Sequence, residues 1–62
     1  MNIEIADNIT EGTEYEIRVN GRRAYVGIAE HDDEAEDIAN SIALGLYSKS
    51  LKKPITITVT AL

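Results

Sequence analysis

An Asn-Gly pair at Asn20 and Gly21 lies between two runs in which apolar and polar residues alternate. Both residues of this pair accept the positive φ angles of a two-residue β-turn, so the pattern is a strong local indication of a β-hairpin. The alternation predicts two antiparallel strands between residues 14 and 29, with their apolar side chains on one face. Those side chains are Tyr15, Ile17, Val19, Ala24, Val26 and Ile28.

Two registers are open for this hairpin. A two-residue turn sets Arg18 directly opposite Arg23, and like charges that face each other across two strands are unfavourable. A four-residue loop from Asn20 to Arg23 instead pairs Arg18 with Tyr25. Both registers are expected to keep the apolar residues on one side, so the predicted fold does not depend on the choice.

The segment from about Asp33 to Ser48 has the periodicity of an amphipathic helix. Its apolar residues recur at spacings of three and four, which places them in one stripe. They are Ala35, Ile38, Ala39, Ile42, Ala43 and Leu46. Pro54 prevents the helix from continuing to the end of the chain.

Two further strands flank these elements. Ile3 and Ile5 alternate with polar residues near the start of the chain, and near its end Ile55, Ile57 and Val59 alternate with threonines. The β-ββ-α-β order predicts an α+β fold in which one helix packs on one face of an antiparallel sheet of three to four strands. We expect the last strand to lie beside the first strand of the hairpin.

The chain has 62 residues, no cysteine and a formal net charge of −5. This length predicts one domain, residues 1–62. The lack of cysteine excludes disulfides and thiolate metal sites. The negative charge disfavours passive adhesion to nucleic acid or to an anionic membrane, because both need a cationic surface. A core without Phe or Trp buries little apolar surface, and small domains often gain stability by oligomerisation, so a homodimer is an open alternative.

The segment that begins at Met1 is neither basic nor followed by an apolar run, which is unlike a signal peptide. The longest apolar stretch, from Ile42 to Leu46, is too short to span a bilayer. We therefore expect a cytoplasmic protein without a membrane partner.

Catalytic motifs are missing from the sequence. His31 is the single histidine and has no context that suggests a base for a serine nucleophile. The four glycines match no phosphate-binding loop. The acidic run from Glu30 to Asp37 lacks the central glycine of a calcium loop, and its side chains point to different sides of the helix. We predict a protein that is not an enzyme and that has no cofactor or metal.

The same acidic run exceeds what a helix N-terminus needs to complement its dipole. On a helical wheel Asp33, Asp37 and Leu44 lie opposite the apolar stripe, with Tyr47 at the flank. An exposed apolar residue rimmed by charge is typical of a binding interface. We name this predicted partner-binding surface the acidic ridge, and it comprises Asp33, Glu34, Glu36, Asp37, Leu44 and Tyr47.

A second candidate surface is basic. Arginines near the hairpin tip, beside Tyr25 on an open sheet face, could contact phosphates and stack a base. The residues of this alternative nucleic-acid site are Arg18, Arg22, Arg23 and Tyr25, and Lys49, Lys52 and Lys53 form a second basic group after the helix. Because the net field repels a polyanion, direct nucleic-acid binding is the less favoured interpretation.

The hairpin, the helix start Asp-Asp-Glu-Ala-Glu-Asp-Ile-Ala and the closing β-branched strand resemble very small phage and mobile-element proteins, over Glu14 to Leu62. These include host-takeover factors, such as the small phage inhibitor of bacterial RNA polymerase, and anti-CRISPR proteins. The resemblance implies an inhibitor that occupies a basic, nucleic-acid-binding surface of a host complex, with carboxylates in place of phosphates.

Three functions are compatible with these features. The first is a small acidic inhibitor that binds a basic surface on a host protein or complex through the acidic ridge. The second is a nucleic-acid-binding protein that uses the arginines of the hairpin tip. The third is a self-assembling structural subunit that dimerises through its last strand or through the threonine face.

Overall fold

The computed structural model describes residues 2–47, except for the side chain of Tyr47, and residues 54–62. It confirms the α+β class and the predicted order of elements. The elements are strands β1 (Asn2–Ile5), β2 (Glu14–Val19) and β3 (Arg22–Ile28), helix α1 (Glu34–Tyr47) and strand β4 (Thr56–Ala61). The predicted helix end at Ser48 lies outside the described residues.

The strands form one sheet in the order β1-β4-β2-β3. As predicted, β4 lies beside β2, and the two are antiparallel. The pairing of β1 differs from the expected antiparallel sheet, because β1 runs parallel to β4, with Ile3 opposite Ile57. Since β4 has a neighbour on each side, its edges are not available for the dimer that the sequence suggested through the last strand.

Of the two registers left open by the sequence, the hairpin has the two-residue turn, but the strands beyond it are bulged. Asn20 and Gly21 have φ angles of 51° and 84°, as a turn of this type requires. Arg18 lies opposite Arg23, yet the next residue of β2, Ile17, lies opposite Tyr25. The shift inserts one extra residue into β3, which is the definition of a β-bulge.

This bulge reverses which side chains of β3 face the helix. Beyond it Tyr25 shares a face with the buried Ile17, and Val26 lies opposite Glu16 on the other face. Val26 and Ile28 are consequently exposed, by 40% and 61%. The prediction that all six apolar residues of the hairpin share one face was wrong, because a one-residue shift moves every following side chain to the opposite face.

The core lies between helix α1 and the central strands. Tyr15 and Ile17 of β2 and Ile57 and Val59 of β4 are fully buried. Against them the helix places small residues that let it approach the sheet closely, and these are Ala35, Ala39 and Ala43. The helix packs over β4, β1 and β2.

Within residues 2–47 and 54–62, no helix has both the length and the apolar character needed to cross a bilayer.

The positive φ of Gly21 generates a stability prediction. Gly21→Ala is expected to lower the free energy of unfolding by about 1 kcal/mol, because a Cβ is strained in the left-handed region. Gly45→Ala is the matched control: Gly45 lies in helix α1, and a Cβ there meets no atom within 4 Å. The control is expected to raise stability by up to about 1 kcal/mol through helix propensity. Urea unfolding of both variants checks this, and equal effects would contradict the turn geometry.

Candidate partner-binding surface

The acidic ridge begins at Asp33, immediately before helix α1, and continues through the first turn of the helix. The side chains of Asp33, Glu36 and Asp37 are exposed. Leu44, two turns further along, is 74% exposed. The spacing of Asp33, Asp37 and Leu44 places them on one helical face, and that face is opposite the buried alanines. The structure therefore brings together these members of the ridge, and the side chain of Tyr47 lies outside the described residues.

Glu34 differs from the other acids of the ridge because both of its carboxylate oxygens are engaged within the chain. The Tyr15 hydroxyl donates to Oε2 at 2.8 Å, and the Glu30 backbone N–H donates to Oε1 at 3.1 Å. These hydrogen bonds lower the pKa of Glu34 below its ordinary value. Burial, and then the hydrogen bond to Glu34, raise the pKa of Tyr15. Glu34 thus fixes the helix start to the sheet.

The segment before the helix is tied to the loop between β1 and β2. The Asp32 carboxylate accepts a hydrogen bond from the Glu11 backbone N–H at 2.9 Å. The Gly12 backbone N–H donates to the Ala29 carbonyl at 2.8 Å, and the Ala29 N–H donates to the Thr13 carbonyl at 3.0 Å. These hydrogen bonds fix the segment before helix α1, and with it the start of the acidic ridge, to the loop between β1 and β2.

The acidic run does not form a metal centre in the described part of the chain. No three carboxylate or imidazole groups there lie close enough together to hold an ion. Glu34 and Asp32 are turned to partners within the protein, while Asp33, Glu36 and Asp37 point to solvent.

The arginines of the hairpin tip are organised by a buried carboxylate. Glu16 is only 2% exposed. It accepts hydrogen bonds from Nε of both Arg18 and Arg23, the two residues that face each other across the hairpin. The bonds to Arg18 and Arg23 lower the pKa of Glu16. One carboxylate between two guanidinium groups offsets the repulsion that disfavoured this register.

The four residues of the alternative nucleic-acid site do not share one surface. Tyr25 lies on the helix side of the sheet, where its ring packs on Tyr15 with 5.8 Å between ring centroids. Arg18 and Arg23 lie with Glu16 on the opposite face. The expectation that these arginines lie beside Tyr25 was wrong, because the bulge turns Tyr25 toward the helix side. Arg22 is exposed across from Val19.

The second basic group, Lys49, Lys52 and Lys53, lies outside the described residues.

Sequence reasoning missed the roles of Glu16 and Glu34. The alternation of the hairpin places Glu16 on the polar face and does not indicate that this residue is buried. A signal was present, since Glu16 is two residues before Arg18 on the same strand face. For Glu34 the sequence contains no comparable signal, because its partner Tyr15 is 19 residues away.

Comparisons of the chain with known protein families, with curated proteins and with solved structures give no match.

The lowered pKa values of Glu16 and Glu34 predict an acid-sensitive fold. A carboxyl whose folded-state pKa is lowered contributes stability above its unfolded pKa, near the ordinary value of 4.5, and loses it as pH falls through the folded pKa. Stability is therefore expected to decrease below about pH 5. Glu16→Gln should lower stability at pH 7 and flatten this dependence.

Urea unfolding midpoints at pH 7 and at about pH 3.5 measure the effect. Glu4→Gln, which removes an exposed carboxyl on β1, is the control and should keep the wild-type dependence. A Glu16→Gln variant with an unchanged pH profile would show that this carboxylate does not hold the arginines.

Proposed function

We propose that this chain is an inhibitory binding protein whose acidic ridge docks on a basic surface of a partner protein. The observation that carries the proposal is the single exposed helical face that joins Asp33 and Asp37 to Leu44. Leu44 is the most exposed of the large apolar side chains among the described residues. The partner would be a nucleic-acid-processing protein or complex of a host, as for the phage and mobile-element inhibitors that the sequence resembles.

The arrangement of charge and apolar surface supports this proposal. Interfaces place an apolar anchor inside a polar rim, and a few central residues supply most of the binding free energy. Leu44 has the position of an anchor, and Asp33, Glu36 and Asp37 supply negative charge toward the helix start. A surface that binds the phosphates of nucleic acid carries lysine and arginine in complementary positions.

The anchoring of the helix to the sheet also supports the proposal. Its opposite face is packed on the sheet through buried alanines, and its start is fixed by the contact between Tyr15 and Glu34. A surface that is ordered before binding loses less conformational entropy when the complex forms. Inhibition would follow because the bound chain covers the partner's nucleic-acid site and its carboxylates take the place of phosphates.

Direct nucleic-acid binding has less support. Arg18 and Arg23 are paired with the Glu16 carboxylate, so much of their charge is balanced within the chain. Tyr25 packs on Tyr15 on the other face of the sheet, away from these two arginines. A cationic stripe interleaved with an aromatic platform, as single-stranded nucleic acid requires, is therefore not assembled here by the described residues.

A double charge reversal tests the proposal. Asp33→Lys with Asp37→Lys should abolish capture of a basic partner, because it replaces attraction by repulsion across the interface. The matched control is Glu4→Lys with Glu14→Lys, which makes the same change of net charge at exposed positions on the open sheet face. The measurement is affinity capture from bacterial lysate at low and at high salt, read by mass spectrometry.

The proposal predicts a nucleic-acid-handling protein that is retained by the wild type and by the control, lost from the ridge variant, and released by salt. Leu44→Ala should also weaken its retention. Capture that survives the double reversal would contradict the acidic ridge. A nucleic-acid probe retarded by the purified chain, and released by Arg22→Ala, would instead support the arginine site.

A further inference from the structure

Strand β3 is an open edge of the sheet. It pairs with β2 on one side, and no described residue pairs with its other side or covers it from the helix. The opposite edge strand, β1, is four residues long and carries the exposed Glu4, whereas β3 has seven residues, no Pro, and charged residues only at its start, Arg22 and Arg23. Short strands, Pro and charged residues are the usual protection of an edge against pairing with another chain.

The backbone groups of β3 that point outward can be assigned from the hairpin ladder. The Ala29 N–H donates to the Thr13 carbonyl at 3.0 Å, so Ala29 is a hydrogen-bonded position. Such positions alternate along an antiparallel strand, which makes Gly27 and Tyr25 the next ones. The N–H and C=O groups of Val26 and Ile28 therefore point away from β2.

The side chains of this edge are apolar on both faces of the sheet. Val26 and Ile28 are exposed on the open face, and Tyr25, on the helix side, is 37% exposed. An edge with unpaired backbone groups and exposed apolar side chains above and below it has the features of a strand-pairing site.

We propose that β3 pairs antiparallel with β3 of a second copy of this chain, with Val26 opposite Val26 on the two-fold axis. Charge selects this orientation. Arg22 and Arg23 begin the strand, and Glu30 follows its end. An antiparallel pair brings the arginine end of one copy to Glu30 of the other, whereas a parallel pair would set arginine beside arginine. Each copy contributes the same surface, as a two-fold interface requires.

The side chains fit the same register. Tyr25 of one copy lies opposite Gly27 of the other, and Ile28 lies beside Ala24, the extra residue of the bulge. A Cβ on Gly27 would approach the Tyr25 ring of its own chain to 2.9 Å, so the lack of a side chain at Gly27 gives room to the Tyr25 ring of the same copy. The two Tyr25 rings then lie on either side of the two-fold axis and cover both glycines. Two four-stranded sheets become one continuous sheet.

This assembly goes beyond the proposed inhibitor and does not depend on it. The acidic ridge faces away from the sheet, on a helix that packs over β4, β1 and β2 and not over β3. Both ridges of a dimer stay accessible, which would let the dimer engage a repeated or two-fold partner with increased avidity.

Sedimentation equilibrium up to about 1 mM chain tests the proposal, because a pairing of two short strands is expected to be weak. The mass should rise with concentration from 6.8 kDa toward twice that value. Val26→Lys should keep the chain monomeric. Leu44→Lys makes the same exchange on the acidic ridge and should leave dimerisation unchanged, so this control separates the edge from the inhibitory surface.

A charge swap tests the orientation. Arg22→Glu and Glu30→Arg should each weaken the dimer several-fold, since each replaces attraction between the facing strand ends of the two copies by repulsion. The two changes in one chain should restore it. Circular dichroism confirms that each variant is folded.

Amide hydrogen exchange measures strand pairing directly. The N–H groups of Val26 and Ile28 should exchange more slowly as the concentration rises, while those of Tyr25 and Gly27 stay unchanged. A chain that remains monomeric at about 1 mM would overturn the proposal, and the edge would then be open for a strand of another protein. A dimer that survives Val26→Lys would overturn it equally.

Discussion

The carboxylate of Glu16 holds the hairpin in the form that the rest of the structure depends on. It accepts hydrogen bonds from Arg18 and Arg23, two cations that the Asn20-Gly21 turn places directly opposite each other. Without it, a tight turn would bring two like charges together. With the Glu16 carboxylate between the two arginines, the two-residue turn is retained. The bulge in β3 follows directly after Arg23. Every later side chain of β3 has its position because of that bulge.

The bulge determines on which face of the sheet the side chains of β3 lie. It turns Tyr25 toward Tyr15, leaves Val26 and Ile28 exposed on the open face, and separates the arginines from the aromatic ring they were expected to accompany. A nucleic-acid site at the hairpin tip loses support for this reason, and an apolar edge strand appears in its place. The acidic helix is unaffected, because it packs on the central strands.

Local patterns predicted much of this fold. Asn20-Gly21 predicted the turn, the alanine and isoleucine stripe predicted helix α1, and the alternation of Ile57 and Val59 with threonines predicted β4, because each signal lies within one element. The exposed positions of Asp33, Asp37 and Leu44 followed from the helical period.

The features that the sequence did not predict depend on contacts between residues that are distant in sequence. The parallel pairing of β1 joins Ile3 to Ile57, and no local pattern specifies which neighbour a four-residue strand selects. The bulge has no residue signature in this sequence, and a single inserted residue reverses the alternation that sequence reasoning relies on. The bond between Glu34 and Tyr15 crosses from helix to sheet, so no local pattern indicates it. The helical period alone therefore placed Glu34 with the exposed acids of the acidic ridge.

All of these surfaces depend on the register of the hairpin, which nuclear Overhauser effects between the backbone protons of β2 and β3 measure. We expect cross-strand contacts between Arg18 and Arg23, and then, beyond the bulge, between Ile17 and Tyr25 and between Glu16 and Val26. Contacts between Arg18 and Tyr25, or between Ile17 and Val26, would contradict it. They would mean a hairpin without the bulge, with Val26 turned toward the helix and no exposed apolar edge.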